Sequence, residues 1–355
     1  MGGIASVTRS CLAALASSKG AEADLKVTRF IGLESQDSSG VDTENREFKF
    51  RPCRGSRLRF LLETASQLFH RPAWIIYEHV DLAQCQVLLP RSLRSRYAVW
   101  GHGIELWRAL PPRKEQALRE AELLLFNSSF TRRKAATFHP WILDRPFRVV
   151  PLCQEEQQLD RRVDDTPTVP ADRRPDILTV GRLVEDRPKG HLEILEALPR
   201  ILSESPETHW HIVGDGPWRM AQQELIDRST VKEHITMHGF VDDDELNRLY
   251  QTSKVFAMPS RGEGFGLVYA EAMSRGLPCI GSLSDAAPEA IGDGGFCIDL
   301  DKEGELADKL IEILTAPEED YEELSGKAVS RAEFFTLSRF GKDLRDALHS
   351  VDSIC

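Results

Sequence analysis

Short apolar runs alternate with longer amphipathic segments along almost the whole chain, and this pattern limits the possible folds more than any other feature. Strands that are buried on both faces of a parallel sheet read as continuous apolar runs, and amphipathic helices connect them. Ten runs fit such strands: 73–80, 97–103, 123–129, 147–152, 176–183, 209–216, 235–240, 253–260, 278–282 and 296–300. Helical patterns cover residues 191–202, 220–229, 243–251, 266–276, 302–314 and 335–350. The alternation predicts an α/β protein with parallel sheets.

The chain has 355 residues, which is enough for two domains with separate cores. Residues 160–176 are polar, contain prolines and lack periodicity, as is typical of a linker. Ligands of doubly wound folds bind outside the carboxyl ends of the strands, so we expect two such domains to face a central cleft. The predicted parts are a Rossmann-like domain over residues 1–158, a linker over 159–176, a second Rossmann-like domain over 177–334, and a helix and tail over 335–355.

Charge and cysteine usage bear on compartment and partners. The net charge of −11 divides into +8 over residues 1–150 and −19 over the remainder, which suggests different partners for the two halves. Drift of surface charge explains the split equally well. The seven cysteines are scattered without a CxxC pair, which argues against a disulfide framework and structural zinc. With no signal-peptide pattern at the start, we expect a cytoplasmic protein.

A glycine-rich turn, RGEGFG at 261–266, follows an apolar run and precedes a helical pattern. Glycine allows the backbone to approach a ligand closely, and the first N–H groups of a helix are free to bind phosphate. Glu263 and Glu271 flank this turn. A carboxylate accepts hydrogen bonds from two neighbouring hydroxyls, so the two glutamates fit different ends of one extended ligand. An acidic residue that complements a helix dipole is the structural alternative.

Two cations, Arg182 and Lys189, lie in the loop between another predicted strand and its following helix. Seven residues apart across a loop, they can converge on one diphosphate, although solvated loop cations are the simpler explanation. The glycines of VGDGP (213–217) fit a tight strand-to-helix turn, and we expect that role to be structural.

These segments together resemble a known family. VGRL…KG, VGDGP, HGFV, PS…EGFGLVYAEA…GLPC and APEAIGDGG follow one another over residues 176–350. In this order they look like the nucleotide-binding half of retaining glycosyltransferases of family four, the glycogen-synthase-like group 1 enzymes of GT-B fold. The first half resembles the family more weakly, through GGIASVTRSCLAALA (2–16), YAVWGHGIELWR (97–108) and FNSSFTRR (126–133).

The resemblance implies transfer of a hexose from a UDP- or GDP-sugar to a hydroxyl acceptor with retention, without a metal or other cofactor. It implies that Arg182 and Lys189 neutralise the leaving diphosphate and that Glu271 binds the ribose hydroxyls. It also implies that Glu263 contacts the donor sugar. The remaining implied residues are His102, facing the donor sugar from the first domain, Gly2 and Gly3 near the phosphates, and the backbone of Gly264, Phe265, Gly266 and Leu267.

Two features leave the activity open. The family begins with a strand before its glycine loop, whereas Met1 is followed directly by Gly2 and Gly3, so the first strand is expected to be missing. An inactive nucleotide-sugar-binding relative is therefore one alternative, and a sugar-nucleotide hydrolase or epimerase of the same fold is another.

The acceptor side contains a basic amphipathic stretch. Residues 46–71 carry seven Lys and Arg against two acids, interleaved with Phe and Leu. Such a segment can lie on an anionic membrane surface, or it can pack its leucines on the sheet and solvate its arginines. Glycan, glycolipid or polysaccharide synthesis, with possible peripheral membrane contact, is the predicted setting. A nucleic-acid partner is excluded, because the chain is acidic overall and shows no binding motif.

Overall fold

The structure is a computed structural model that describes residues 11, 29–32, 49–52, 56–67, 74–154, 173–185 and 189–352. It divides the chain into two compact units. The first comprises Met1–Glu155 together with Leu337–Cys355, and the second comprises Glu156–Thr336. The final helix therefore belongs to the first unit, although it is the last element of the chain.

The first unit contains a four-stranded parallel sheet of order β3-β4-β5-β6 and a separate parallel pair, β1-β2. Its strands are β1 (Arg29–Gly32), β2 (Lys49–Pro52), β3 (Ile75–Tyr77), β4 (Tyr97–Gly101), β5 (Leu123–Phe126) and β6 (Phe147–Val149). Its first four helices are α1 (Arg57–Gln67), α2 (Val80–Val87), α3 (Pro112–Glu120) and α4 (Ser129–Phe138).

The second unit contains a six-stranded parallel sheet. Its strands are β7 (Arg174–Val180), β8 (Trp210–Val213), β9 (Ile235–Gly239), β10 (Ser253–Ala257), β11 (Cys279–Ser282) and β12 (Gly295–Ile298). Its helices are α5 (His191–Glu204), α6 (Arg219–Asp227), α7 (Asp243–Thr252), α8 (Leu267–Met273), α9 (Ala287–Ile291), α10 (Glu305–Leu314) and α11 (Glu318–Ala332). The last helix, α12 (Leu337–Asp352), returns to the first unit.

The strand order of the second sheet, β12-β11-β10-β7-β8-β9, reverses direction at β7. The chain builds outwards from β7 to β8 and β9, and then crosses to β10 on the other side of β7. The carboxyl ends of β7 and β10 therefore border the switch point, where ligands of doubly wound sheets bind.

Each unit has its own apolar core. In the second unit the fully buried side chains of β7, β8 and β10 pack against α5 and α10. In the first unit β4 and β5 are buried along their whole length, and α2 and α3 pack on them. Burial on both faces explains why these strands read as unbroken apolar runs.

All ten strands predicted from apolar runs are present, and every observed end lies within three residues of the predicted one. Strand β7 begins at Arg174, inside the predicted linker, and residues 155–172 lie outside the described part. Gly2 and Gly3, and with them the expected missing first strand, also lie outside it. Among the described residues no helix is both long and apolar enough to cross a bilayer.

Candidate functional site

Three loops of the second unit leave the sheet at one edge. They follow β7, β10 and β11, which are parallel, and β10 lies between the other two in the sheet. The loops carry Arg182 and Lys189, then Glu263, and then Asp285. The sheet topology therefore brings Lys189 into contact with Glu263, 74 positions away, and Glu263 into contact with Asp285, 22 positions away, beside the switch point described above.

Lys189 and Glu263 are in direct contact through Nζ and Oε2. Only 16% of the lysine side chain and 20% of the glutamate side chain are exposed. Gly190 permits this approach, because it has φ of +81° and a Cβ there would lie 2.5 Å from Pro259 Cγ. The stem of Lys189 lies 3.7 Å from the position that a Cβ on Gly181 would occupy. Backbone contact between the two loops thus sets the ion pair.

The carboxylate of Glu263 is held in its charged form. Burial alone would raise the pKa of Glu263, but the Lys189 ammonium and the backbone N–H groups of Phe265 and Gly264 lower it below its usual value. The N–H of Gly264 donates to Oε1 at 3.0 Å. A buried anion beside a cation, at the mouth of a parallel sheet, is a typical feature of a binding site for a charged ligand.

Arg182 follows β7 and is exposed. In the part of the chain that the structure describes, its guanidinium has no hydrogen bond or ion pair. It therefore differs from Lys189, whose charge is already paired.

Glu271 lies in the second turn of α8 and is half-buried. The hydroxyl of Tyr250, a buried residue of α7, donates to its Oε2 at 3.3 Å. Arg275 donates to the Glu271 carbonyl at 2.9 Å, and its guanidinium lies 4.9 Å from the centre of the Tyr250 ring. Glu263 and Glu271 thus have separate supports.

The glycine turn is closely packed. Gly264, Phe265 and Gly266 are buried, and Gly266 has φ of +82°. A Cβ on Gly266 would lie 2.6 Å from the ring of Tyr269. Among the described residues, no side chain caps the start of α8, so the first N–H groups of the helix, beginning at Leu267, have no side-chain acceptor.

The VGDGP glycines have the structural role predicted for them. A Cβ on Gly214 would lie 1.9 Å from the Gly181 carbonyl oxygen, and one on Gly216 would lie 2.1 Å from that of Leu183. The N–H of Leu183 donates to Asp215 O at 3.2 Å. These glycines let the loop after β8 pack against the loop that carries Arg182.

Sequence reasoning missed Asp285 and Ser260. Asp285 is 3% exposed, and burial raises its pKa to about 6. Its carboxylate accepts hydrogen bonds from the Ser260 hydroxyl, from Glu263 N at 3.2 Å and from Ala287 N at 2.8 Å. The one available signal was an aspartate two residues before the APEA helix start, a spacing typical of an Asx-type cap.

His102 follows β4 in the first unit, in the GHG turn. Its Nε2 lies 2.7 Å from the Glu78 carbonyl oxygen, to which only a protonated nitrogen can donate. The Glu105 carboxylate accepts from the His102 and Gly103 N–H groups. Burial lowers the pKa of His102, so the ring is neutral at pH 7 and its Nδ1 is the acceptor.

Within the described residues, no three or more His, Cys, Asp or Glu side chains are arranged to hold a metal ion. Independence from metal stays a prediction. The described cysteines, Cys11, Cys85, Cys153, Cys279 and Cys297, are free thiols.

The second unit matches a known family. Residues 174–316 match the family model described as glycosyl transferases group 1. Over 258 residues the chain is 29% identical to a GDP-mannose-dependent α-(1-6)-phosphatidylinositol monomannoside mannosyltransferase of Mycobacterium tuberculosis. The second unit contains a group 1 glycosyltransferase domain. The alignment covers 65% of this chain and 64% of the length of the mycobacterial protein.

Solved structures show the fold of the chain. An apo lipopolysaccharide outer core galactosyltransferase, WaaB, has a TM-score of 0.68 at 18% identity, covering 99% of this chain and 96% of that one. Sucrose-phosphate synthase of Thermosynechococcus elongatus has a TM-score of 0.72 at 16% identity, covering 98% and 92%. The predicted GT-B fold is confirmed.

The family match contains four of the predicted site residues, namely Arg182, Lys189, Glu263 and Glu271. The structure brings Lys189 and Glu263 into contact and supports Glu271 from α7. His102 lies outside the matched residues, and its predicted role is not tested by them.

Proposed function

We propose that the protein transfers a hexose from a nucleoside diphosphate sugar to a hydroxyl acceptor with retention of configuration, in glycolipid synthesis. The observation that carries the proposal is the contact of Lys189 with Glu263 at the switch point of the second sheet. The mycobacterial relative is named as GDP-mannose-dependent, so GDP-mannose is the donor to test first and a UDP-sugar the second.

Departure of a nucleoside diphosphate builds negative charge on its terminal phosphate, and fixed cations stabilise that charge in the transition state. In this proposal Arg182 and Lys189 supply the cations. Arg182 is exposed and unpaired among the described residues, so it can bind the diphosphate directly. Lys189 exchanges part of its contact with Glu263 for a phosphate oxygen.

The two glutamates bind the two ends of the donor in this proposal. Glu271 accepts hydrogen bonds from the ribose hydroxyls, with its carboxylate held by Tyr250. Glu263 keeps its charge because its pKa is lowered, and it accepts hydroxyl hydrogen bonds from the hexose. The role of His102 stays a prediction from the family resemblance.

The donor site is tested by calorimetric titration of GDP, GDP-mannose, UDP and UDP-glucose into the wild type and into Glu271→Ala. Loss of the ribose contacts is expected to weaken the preferred nucleotide about tenfold or more, which corresponds to about 1.4 kcal/mol. Glu323→Ala, at an exposed position of α11, is the matched control and should bind as the wild type does. The proposal fails if a folded wild type binds none of the four ligands, and the alternative of an inactive relative without donor binding then gains.

A hydrolase and a transferase differ in what they form from the donor when no acceptor is present. If GDP and free mannose form from GDP-mannose at the same rate with and without a lipid acceptor, the protein is a sugar-nucleotide hydrolase. Formation of a mannosylated lipid only when the acceptor is added supports the transferase.

A lipid acceptor requires access to a membrane, and α1 offers an exposed apolar pair. Leu58 and Leu62 are one helical turn apart and 67% and 62% exposed, whereas Phe60 is buried. The leucines are therefore not all packed on the sheet, and Arg59 lies beside the exposed pair. We propose that this face contacts an anionic bilayer.

Vesicle sedimentation tests this contact. Wild type is expected to bind vesicles of phosphatidylglycerol and phosphatidylcholine more strongly than phosphatidylcholine alone, and the binding should weaken with added salt. Replacing both leucines with serine should remove most of it. Leu283→Ser, which changes a 57% exposed leucine of the second unit, should leave it unchanged. Equal binding by all three proteins would exclude α1 as the contact.

A further inference from the structure

Asp285 is a buried carboxylate that none of the proposed substrate contacts uses. It follows β11, and 3% of the residue is exposed. Burying a carboxylate is costly unless hydrogen bonds compensate for the lost water. The partners of Asp285 therefore indicate what the residue holds in place.

Its carboxylate joins three segments of the second unit. Oδ2 accepts from the Ser260 hydroxyl, three residues after the end of β10. It also accepts from the backbone N–H of Glu263 at 3.2 Å. Oδ1 accepts from the backbone N–H of Ala287 at 2.8 Å, at the start of α9. One side chain thus fixes the beginning of the glycine turn to the beginning of a helix.

The backbone of Glu263 is held from both sides by the same loop. Its N–H donates to Asp285, and its carbonyl oxygen accepts from Ala286 N at 3.2 Å. The Glu263 carboxylate then reaches Lys189. Three side-chain bonds separate that carboxylate from the fixed backbone, so the position of the backbone decides where the carboxylate can lie.

We propose that Asp285, assisted by Ser260, is a positioning residue that holds Glu263 against the sugar of the nucleotide-sugar donor. This inference rests on the proposed function, because it needs Glu263 to contact the hexose. It assigns no contact between Asp285 and the substrate. Removing the Asp285 anchor should therefore impair recognition of the sugar while leaving recognition of the diphosphate, through Arg182 and Lys189, largely intact.

The charge state of Asp285 gives the inference a pH dependence. Burial raises the pKa of Asp285 to about 6, hydrogen bonds from Ser260, Ala287 and Glu263 lower it, and the Glu263 charge raises it. The ionisable groups around it are Glu263, Tyr269 and Cys297, and Glu263 in turn contacts Lys189. Burial raises the pKa values of Tyr269 and Cys297, so both are neutral near pH 6, and the lowered pKa of Glu263 keeps it charged there.

Protonation turns one Asp285 oxygen from an acceptor into a donor. A proton on Oδ2 competes with the Ser260 hydroxyl and the Glu263 N–H, and a proton on Oδ1 competes with the Ala287 N–H, so protonation of either oxygen weakens the anchor. Below about pH 6 the Glu263 turn is then less firmly held. The sugar contribution to donor binding should fall as the pH decreases through that value.

The test compares two ligands that differ by the sugar. Dissociation constants of GDP-mannose and GDP, or of UDP-glucose and UDP if those bind, are measured for the wild type, Asp285→Asn and Ser260→Ala at pH 5 to 8. In Asp285→Asn at pH 7.5, binding of the sugar nucleotide is expected to weaken about tenfold and that of the diphosphate less than twofold. The wild-type ratio should change through about pH 6, and the Asp285→Asn ratio should not.

If both ligands weaken equally, or neither changes, the positioning role is overturned and Asp285 only supports the fold. If Asp285→Asn does not fold, Ser260→Ala replaces it in the comparison. That variant removes one of the three hydrogen-bond donors to Asp285, so a smaller selective loss of affinity for the sugar nucleotide is expected. If the wild type binds neither nucleotide, the proposed function itself fails and the positioning role fails with it.

Discussion

At the scale of single residues, one of the two cations of the predicted diphosphate site is already paired with a carboxylate of the same unit. Lys189 contacts Glu263, and both side chains are mostly buried. An unpaired buried cation would be costly, and so would an unpaired carboxylate, so each stabilises the other until a ligand arrives. The pair therefore contributes to folding, besides the role in binding that is proposed for it.

Lys189→Ala should separate these two contributions. The variant leaves the Glu263 carboxylate buried without its cation, which is expected to lower the free energy of unfolding by about 1–3 kcal/mol. Affinity for the preferred nucleoside diphosphate should fall as well. Urea denaturation and calorimetry measure the two effects. Lys327→Ala breaks an exposed pair with Glu323 in α11 and should change neither quantity appreciably.

Sequence patterns singled out the predicted site residues but not the residues that hold them in place. Arg182, Lys189, Glu263 and Glu271 stand in motifs with characteristic neighbours. Tyr250 and Asp285 support two of them from 21 and 22 positions away. Nothing local in LYQT or LSDA indicates those contacts, because the pairing of distant loops creates them.

At the scale of elements, the loops that carry the site are joined by glycines whose missing side chains allow close approach. Gly190 lies against Pro259, Gly214 against Gly181, and Gly216 against Leu183. Each contact joins loops that follow different strands. These close contacts fix the positions of the loops that carry Lys189 and Glu263 relative to one another.

Gly190→Ala should disturb this joint. Its φ of +81° is unfavourable for alanine, and the new Cβ would lie 2.6 Å from the Pro259 carbonyl oxygen. We expect a loss of about 2 kcal/mol or more in stability. Gly326→Ala is the matched control in the exposed interior of α11, where a Cβ meets nothing within 4 Å. It should stabilise the protein by about 0.5–1 kcal/mol. Urea midpoints of both variants against the wild type check the opposite signs.

The strands were predicted well because full burial leaves a continuous apolar signal, as in LLLF of β5. Helix α11 was not predicted, since its buried positions are Tyr321, Ser325, Ala328 and Ala332. They have helical spacing, but serine and alanine carry almost no apolar signal. The relative arrangement of the two predicted domains stays a prediction.

At the scale of the whole molecule, buried histidines make stability depend on pH. Burial lowers the pKa values of His102, His209 and His238, and it lowers that of His191 to about 4. His209, His211 and His238 also lie in ring contact beside Asp176. The unfolded chain binds protons more readily at each histidine whose folded pKa is lowered, so acid favours unfolding.

The free energy of unfolding should therefore be maximal above pH 6.5 and decrease as the pH falls towards 4. His191 alone accounts for a loss of about 2 kcal/mol at pH 5. Asp285 acts in the opposite direction, because its raised pKa favours the folded state at low pH. Urea titrations between pH 5 and 8 measure the slope, and a flat profile across this range would contradict the expectation.

Helix α12 completes the first unit from the far end of the chain. Phe340 is 2% exposed and stacks on Trp100 with ring centroids 5.8 Å apart, and Trp100 in turn stacks on His102. Phe340→Ala should cost about 3–5 kcal/mol of stability in the first unit. Phe138→Ala, at a 49% exposed position of the same unit, should cost much less. Thermal unfolding of both variants, followed by near-ultraviolet circular dichroism, distinguishes them.

This return of the chain has a consequence for synthesis. Residues 156–336 form the second unit without interruption, so the ribosome has delivered all of it before α12 exists. The first unit, although its strands are made earlier, cannot cover Trp100 with Phe340 until translation reaches α12. The domain that is second in the sequence can therefore finish folding first. Translation that stops short of Leu337 would release a folded second unit joined to an incomplete first unit, which chaperones and proteases could detect by its uncovered tryptophan.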